Sequence, residues 1–252
     1  MKIKSLSLLF LLLTLPLQAQ EEENPNIDVD ALLPAKKEFL NLPADDRKKC
    51  IEHFGKASRF FQQKRVFECL DALHEAEKVF SDSAELLNLR GSCYVEMRAF
   101  DKALSAFEKA LEYNPKNTSV KFNIAEVLFV TKQWQASHDL FEQILGEVPD
   151  TNISLTRLVE FKILLCKKKL DRNEEALILA EKYDYLDDSP YYYYAKAAIS
   201  YDEGDLLEAE QWLARANRIF QNPAIIAPWQ DTLVEFGYIK SFYGEEDAPE
   251  AP

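Results

Sequence analysis

Apolar and small residues along this chain recur at a fixed interval of 34 positions. Phe107 has counterparts at Phe141 and Leu73, Phe100 at Trp134 and Val66, Gly91 at Ala125 and Ala57, and Pro115 at Pro149. A period of this length marks a stacked helical repeat, whose units bury their apolar faces only against their neighbours. The clearest unit runs from Ala84 to Asn117. Within it Leu87, Gly91 and Tyr94 fall at i, i+4 and i+7, one face of a first helix. Arg98 to Asp101 make a polar turn, and Ala103, Phe107 and Ala110 mark one face of a second helix. Asn114-Pro115 ends that helix, because the residue before proline is pushed out of the helical region.

Small residues explain how the helices of a hairpin come close. Gly91 and Ala103 are 12 apart, and the pair recurs as Ala57/Cys69, Ala125/Ser137 and Ala197/Ala209. Leu164/Ala176 has the spacing with a bulky first member. The larger Leu73, Phe107, Phe141 and Leu213 are expected to fill the space between neighbouring hairpins.

On Leu87, Gly91, Tyr94, Ala103, Phe107, Ala110 and Pro115, and on Ala125, Leu128, Trp134, Phe141 and Pro149 in the next unit, the chain resembles the tetratricopeptide repeat family. The resemblance implies an all-α fold, a right-handed α-solenoid of about five helix-turn-helix repeats plus a C-terminal capping helix. The repeats are read at Cys50–Ser83, Ala84–Asn117, Thr118–Thr151, within Asn152–Ser189, and Pro190–Pro223. In the fourth, Ala176 comes 39 residues after Ser137, which places an insertion of about five residues there. An apolar stretch from Ala224 to Tyr243 is expected to cap the last repeat, covering Leu213 and Phe220 with Ile225, Ile226, Leu233 and Phe236.

The chain ends read differently. Residues 1–19 carry two lysines and an apolar run, and Ala19 precedes the expected cut, as in a secretory signal peptide. A membrane anchor needs about 20 apolar residues; this run is shorter and meets Glu21–Glu23 at once. The expected location is therefore periplasmic or secreted, with the short charged start pointing to a bacterial export signal. Residues 20–45 form a proline-punctuated linker with a short helix, whose Leu32, Leu33, Phe39 and Leu40 would dock on the first repeat. Residues 46–243 form the array, and the acidic tail 244–252 is expected to be disordered. Against 30 basic residues stand 43 acidic ones, a net charge of −13. Nucleic acid and anionic membrane are thus poor partners, and a basic protein or peptide is favoured.

Candidate chemistry is sparse. None of His53, His74 and His138 has a second His or Cys at i+4, and the acidic runs lie in turns and tails. No nucleophile pairs with a base, so neither a catalytic residue, a cofactor nor a metal site is expected. Cys50, Cys69, Cys93 and Cys166 fit no metal spacing, and Cys69 with Cys93 is the most plausible pair for a disulfide after export.

In the family that the chain resembles, the first helix of each hairpin lines a concave inner surface. By that register the inward residues include Phe54 and Phe61, Glu85 and Asn88, Phe122, Glu126 and Phe129, Phe161, and Tyr191, Tyr194 and Tyr201. An exposed aromatic stripe rimmed by acids marks a protein-binding surface. The basic set that clamps a C-terminal carboxylate in some relatives is missing. The expected function is a non-catalytic interaction scaffold that takes a peptide, helix or protein surface in this groove. The alternative is a carbohydrate-related accessory enzyme or glycan-binding protein with an unrecognised site, since aromatic grooves also stack sugars.

Overall fold

The computed structural model describes residues 33–149 and 151–240; the expected signal peptide, Leu32 and the expected disordered tail lie outside them. Among the described residues there are twelve helices and no strand. They fall into two compact units, 33–127 and 128–240.

The first unit holds α1 (Pro34–Asn41), α2 (Ala44–Gln62), α3 (Val66–Val79), α4 (Ala84–Glu96), α5 (Phe100–Tyr113) and most of α6 (Thr118–Val130). The array opens at Ala44, earlier than the apolar pattern placed it, because α2 carries an extra polar turn with Asp45 and Asp46 at its positive end. In α1 only Phe39 docks as expected, its ring 5.4 Å from that of Phe80. Leu33 and Leu40 remain exposed, since a helix this short presents one face at a time. Ala57, Cys69, Leu73, Ala76, Leu86 and Cys93 form the core of this unit. The Cys69 and Cys93 sulfurs lie 3.2 Å apart as buried free thiols.

Gly91 carries one correction to the packing scheme. The spacing set it opposite Ala103 and put Phe107 between neighbouring hairpins, yet a Cβ placed on Gly91 would first meet the Phe107 ring, at Cε1. The fully buried Phe107 ring lies on the glycine backbone, and this approach is what the missing side chain permits.

The second unit holds the end of α6, α7 (Trp134–Glu147), α8 (Ile153–Lys169), α9 (Asn173–Ala180), α10 (Tyr191–Glu203), α11 (Leu206–Ile219) and α12 (Pro223–Phe236). The irregular fourth repeat resolves here. Its first helix, α8, has 17 residues where α6 has 13, so the insertion is an added helical turn. Its second helix, α9, stops after 8 residues, and an irregular segment leads on to Pro190. That segment is tied down by Glu160, whose Oε1 accepts from Lys182 at 2.5 Å and from the Tyr183 hydroxyl at 3.1 Å. Arg157 lies 3.6 Å over the Tyr183 ring and reaches Asp187 at 3.0 Å.

One turn recurs through both units. Lys64, Arg98, Lys132, Asp171 and Gly204 all have positive φ, at intervals of 34, 34, 39 and 33 residues. Each is followed by a six-to-one bond: Arg65 N to Phe60 O, Ala99 N to Tyr94 O, Gln133 N to Leu128 O, Arg172 N to Lys167 O and Asp205 N to Ser200 O, at 2.8–2.9 Å. This is the Schellman closure of a helix end, and it reverses the chain from first to second helix in every hairpin.

Candidate protein-interaction face

The inward residues expected from sequence divide between the two units. In the first, α2 carries Phe54 and Phe61, α4 carries Glu85 and Asn88, and α6 carries Phe122 and Glu126. Glu85 is exposed, and Phe54 and Asn88 are half-buried. Phe61, Phe122 and Glu126 are buried, against the expectation of an exposed stripe. Phe61 belongs to the hydrophobic core of the unit, and Phe54 packs against its edge. The Asn88 side chain is already engaged, its Oδ1 accepting from Asn123 Nδ2 at 2.9 Å. What this unit offers to a partner is therefore narrower and more polar than the sequence implied, centred on Glu85.

In the second unit all the expected aromatics are covered. Phe129, Phe161, Tyr191 and Tyr194 are fully buried, and Tyr201 is 9% exposed. Much of the cover is α12. Its Trp229 ring centroid lies 5.3 Å from that of Phe161, 5.6 Å from Tyr194 and 6.3 Å from Tyr191. Its Phe236 ring stacks on Phe129 at 6.1 Å and meets Trp134 at 5.6 Å. Just past its end, Tyr238 stacks on Tyr201 at 5.3 Å. The last helix forms where the apolar pattern put it, but it ends at Phe236 rather than Tyr243. Its docking is also different: Trp229 and Phe236 face the first helices of the hairpins, α8 and α10 with the end of α6, whereas Phe220 packs with Tyr193 at 6.2 Å. The physical reason lies in the aromatics themselves, since several large rings on one face leave too much apolar area to stay wet.

Charge accompanies the rings. Lys162 of α8 is almost wholly buried and stands 3.4 Å from Glu235 of α12, with Phe129 under its ammonium at 4.6 Å. Lys169 caps the Phe236 ring at 4.5 Å. Burial raises the Tyr191 and Tyr194 phenols well above the usual range, with the charge of Glu160 adding to the first and that of Asp231 to the second. Burial and Glu210 do the same at Tyr201, and burial and Asp202 at Tyr238. The Tyr191 hydroxyl donates to Leu179 O at 2.8 Å, and that of Tyr201 donates to Glu210 at 2.6 Å. The Tyr194 hydroxyl is buried with no partner in reach.

Trp229, Lys162, Glu235 and Tyr238 were not singled out by sequence. The signal that could have found them is Gly237, 33 residues after Gly204, with φ 95° and a Tyr238 N to Leu233 O bond of 3.1 Å. α12 thus ends as the first helices of the five hairpins do, and no second helix follows it among the described residues.

The polar clusters elsewhere in this unit are structural. His138 is buried, with Nδ1 3.0 Å from Asp139 and Nε2 3.1 Å from Arg172. Arg172 and Lys167 both reach Glu175 and hold its carboxyl down to about 2.

The family model described as tetratricopeptide repeat matches residues 84–117, the unit that the periodicity marks most clearly. No curated protein matches the chain. Among solved structures, the chain is similar to that of pilF from Pseudomonas aeruginosa, with 16% identity and a TM-score of 0.54, covering 77% of this chain and 94% of the other. It is similar to YrrB, described as a TPR protein with an unusual peptide-binding site, at 17% identity and a TM-score of 0.51 over 77% and 96%. It is also similar to the Rap conjugation regulator of plasmid pLS20, solved with the Phr* peptide, at 15% identity and a TM-score of 0.53 over 80% and 63%. At these identities the likeness is one of fold.

Proposed function

We propose, from its likeness to tetratricopeptide repeat proteins, that the chain is an exported, non-catalytic adaptor that binds a helical or extended protein segment along the first helices of its hairpins. One observation carries the reading: in the second unit that face already holds a helix, α12, by two aromatic anchors and a buried ion pair. A surface that seats one amphipathic helix has the shape and chemistry to seat another. YrrB and the Rap regulator, whose descriptions name a peptide-binding site and a bound peptide, support the same class of ligand. The glycan alternative has lost its supporting feature, because the rings that would stack a sugar are covered. The net charge of −13 favours a basic partner.

Two experiments test the reading. A photo-cross-linking residue at Glu85, on the open part of the face, should capture a partner in the host, whereas one at the exposed Glu108 of α5 should not. Adducts from Glu108 alone, or from neither site, would move the interaction off this face. N-terminal sequencing of the protein purified from its host should begin at Gln20. A purified chain that retains residues 1–19 would refute export.

A further inference from the structure

The seat of α12 defines the partner more narrowly, on the reading of an adaptor just given. We infer that α12 is a built-in occupant that a partner helix displaces. That partner is an amphipathic helix with large aromatic anchors seven residues apart, a leucine-type residue at the fourth position, and a carboxylate beside the second anchor.

The pattern is that of α12 itself. Trp229, Leu233 and Phe236 are 3%, 0% and 6% exposed and lie on one helical stripe. Glu235 meets the buried Lys162, so the seat selects a carboxylate at that place and rejects a lysine. Aromatic anchors set around a desolvated ion pair are the composition of a recognition interface. Within the hairpins the buried residues are instead alanines such as Ala197, Ala209 and Ala216 and single large rings such as Phe107.

Three features make α12 exchangeable. Among the described residues, its side chains and a short connection at Phe220–Asn222 hold it. It contains Pro228 in its interior, which removes a backbone donor and crowds the carbonyl one turn back. A 14-residue helix with an internal proline does not persist alone, so α12 is ordered by its seat. A partner helix with the same anchors and no proline pays less to fold, and it out-competes α12 once its concentration offsets the tether.

The test uses the full chain and a labelled synthetic peptide spanning 221–240 with Pro228→Ala. The peptide should bind the wild-type chain saturably. It should bind a full-length Trp229→Ala/Phe236→Ala chain at least about ten-fold tighter, because the seat is then vacant more often. A peptide carrying those two alanines should bind neither chain. Full-length Lys162→Glu should lose the peptide and recover it when the peptide carries Glu235→Lys. Equal affinity for wild type and the vacated chain would overturn the inference, since α12 would not compete for the site. A vacated chain that unfolds would overturn it as well, by making α12 a part of the core. Hydrogen exchange on the wild type gives an independent reading: α12 amides should exchange faster than those of α8 and α10, and equal protection would refute release. Peptide-driven or variant-driven dimers that exchange α12 between copies would assign the seat to a second copy instead. Partner capture at Glu85 does not depend on any of these outcomes, so the adaptor reading and the exchange inference can fail separately.

Discussion

Gly91 is where a single residue decides a packing geometry. A methyl there would lie 2.3 and 2.5 Å from Phe107 ring atoms, and Phe107 is fully buried, so the ring has no room to turn aside. Alanine gains about 0.8–1.0 kcal/mol of helix propensity over glycine, while overpacking a closed core costs about 1–3 kcal/mol. Gly91→Ala should therefore destabilise by about 1 kcal/mol. Gly55 in α2 is the control: a Cβ there meets nothing within 4 Å, so Gly55→Ala should stabilise by up to about 1 kcal/mol. Urea denaturation of the two variants decides it, and equal shifts in the same direction would show that the Phe107 contact is not limiting. Gly91 was legible in the sequence as a required small residue because its equivalents Ala57, Ala125 and Ala197 are small, with only Leu164 of the irregular repeat bulky. Its actual neighbour was not, because a spacing of 12 names a facing helix turn and not the ring that reaches across. The turn residues were hidden for another reason: Lys64, Arg98, Lys132 and Asp171 adopt positive φ without being glycine, so only the structure reveals their periodicity.

At the scale of elements, existence was easier to read than docking. The hairpins follow from the repeat pattern, with a 39-residue step at the fourth, and the final helix from an apolar stretch, because the faces that pack must be apolar. Where α12 docks does not follow, because a first-helix face is aromatic both when it awaits a partner and when it is covered internally. The expected groove residues Phe161, Tyr191 and Tyr194 are buried for that reason. The Lys162–Glu235 pair tests the docking energetically. Removing one member of a buried pair leaves an uncompensated charge and typically costs about 3–5 kcal/mol. Lys162→Met should lower the stability of the second unit by about that amount, and adding Glu235→Leu should restore most of it, because apolar replacement of both partners is often neutral. A double variant no more stable than Lys162→Met would show that the pair is not coupled in this way. It would point to Lys162 acting mainly through the Phe129 ring below it.

Over the whole molecule, the two units should part company at alkaline pH. Tyr191, Tyr194, Tyr201 and Tyr238 all lie in the second unit, and burial raises each phenol. In the unfolded chain these groups have a pKa of about 10. A group whose folded pKa is raised contributes stability that is complete below the unfolded value and is lost as pH climbs towards the folded one. The second unit should therefore hold its stability up to about pH 10 and lose it progressively above that. The seat of α12 should fail early, because Tyr194 and Tyr238 lie against or beside that helix and Asp231 and Asp202 oppose their ionisation. In the first unit, the Tyr113 phenol is raised mainly by its bond to Asp82, and it lies at the surface, where deprotonation exposes little new area. Hydrogen exchange followed across this pH range should show protection lost first in α12, then in α8 and α10, while α3, α4 and α5 remain protected. The tyrosinate absorbance should rise in two phases, the second coinciding with that loss. A single phase centred on about pH 10 with protection unchanged in α12 would mean that these phenols ionise where they stand, and that the aromatic seat is open to water.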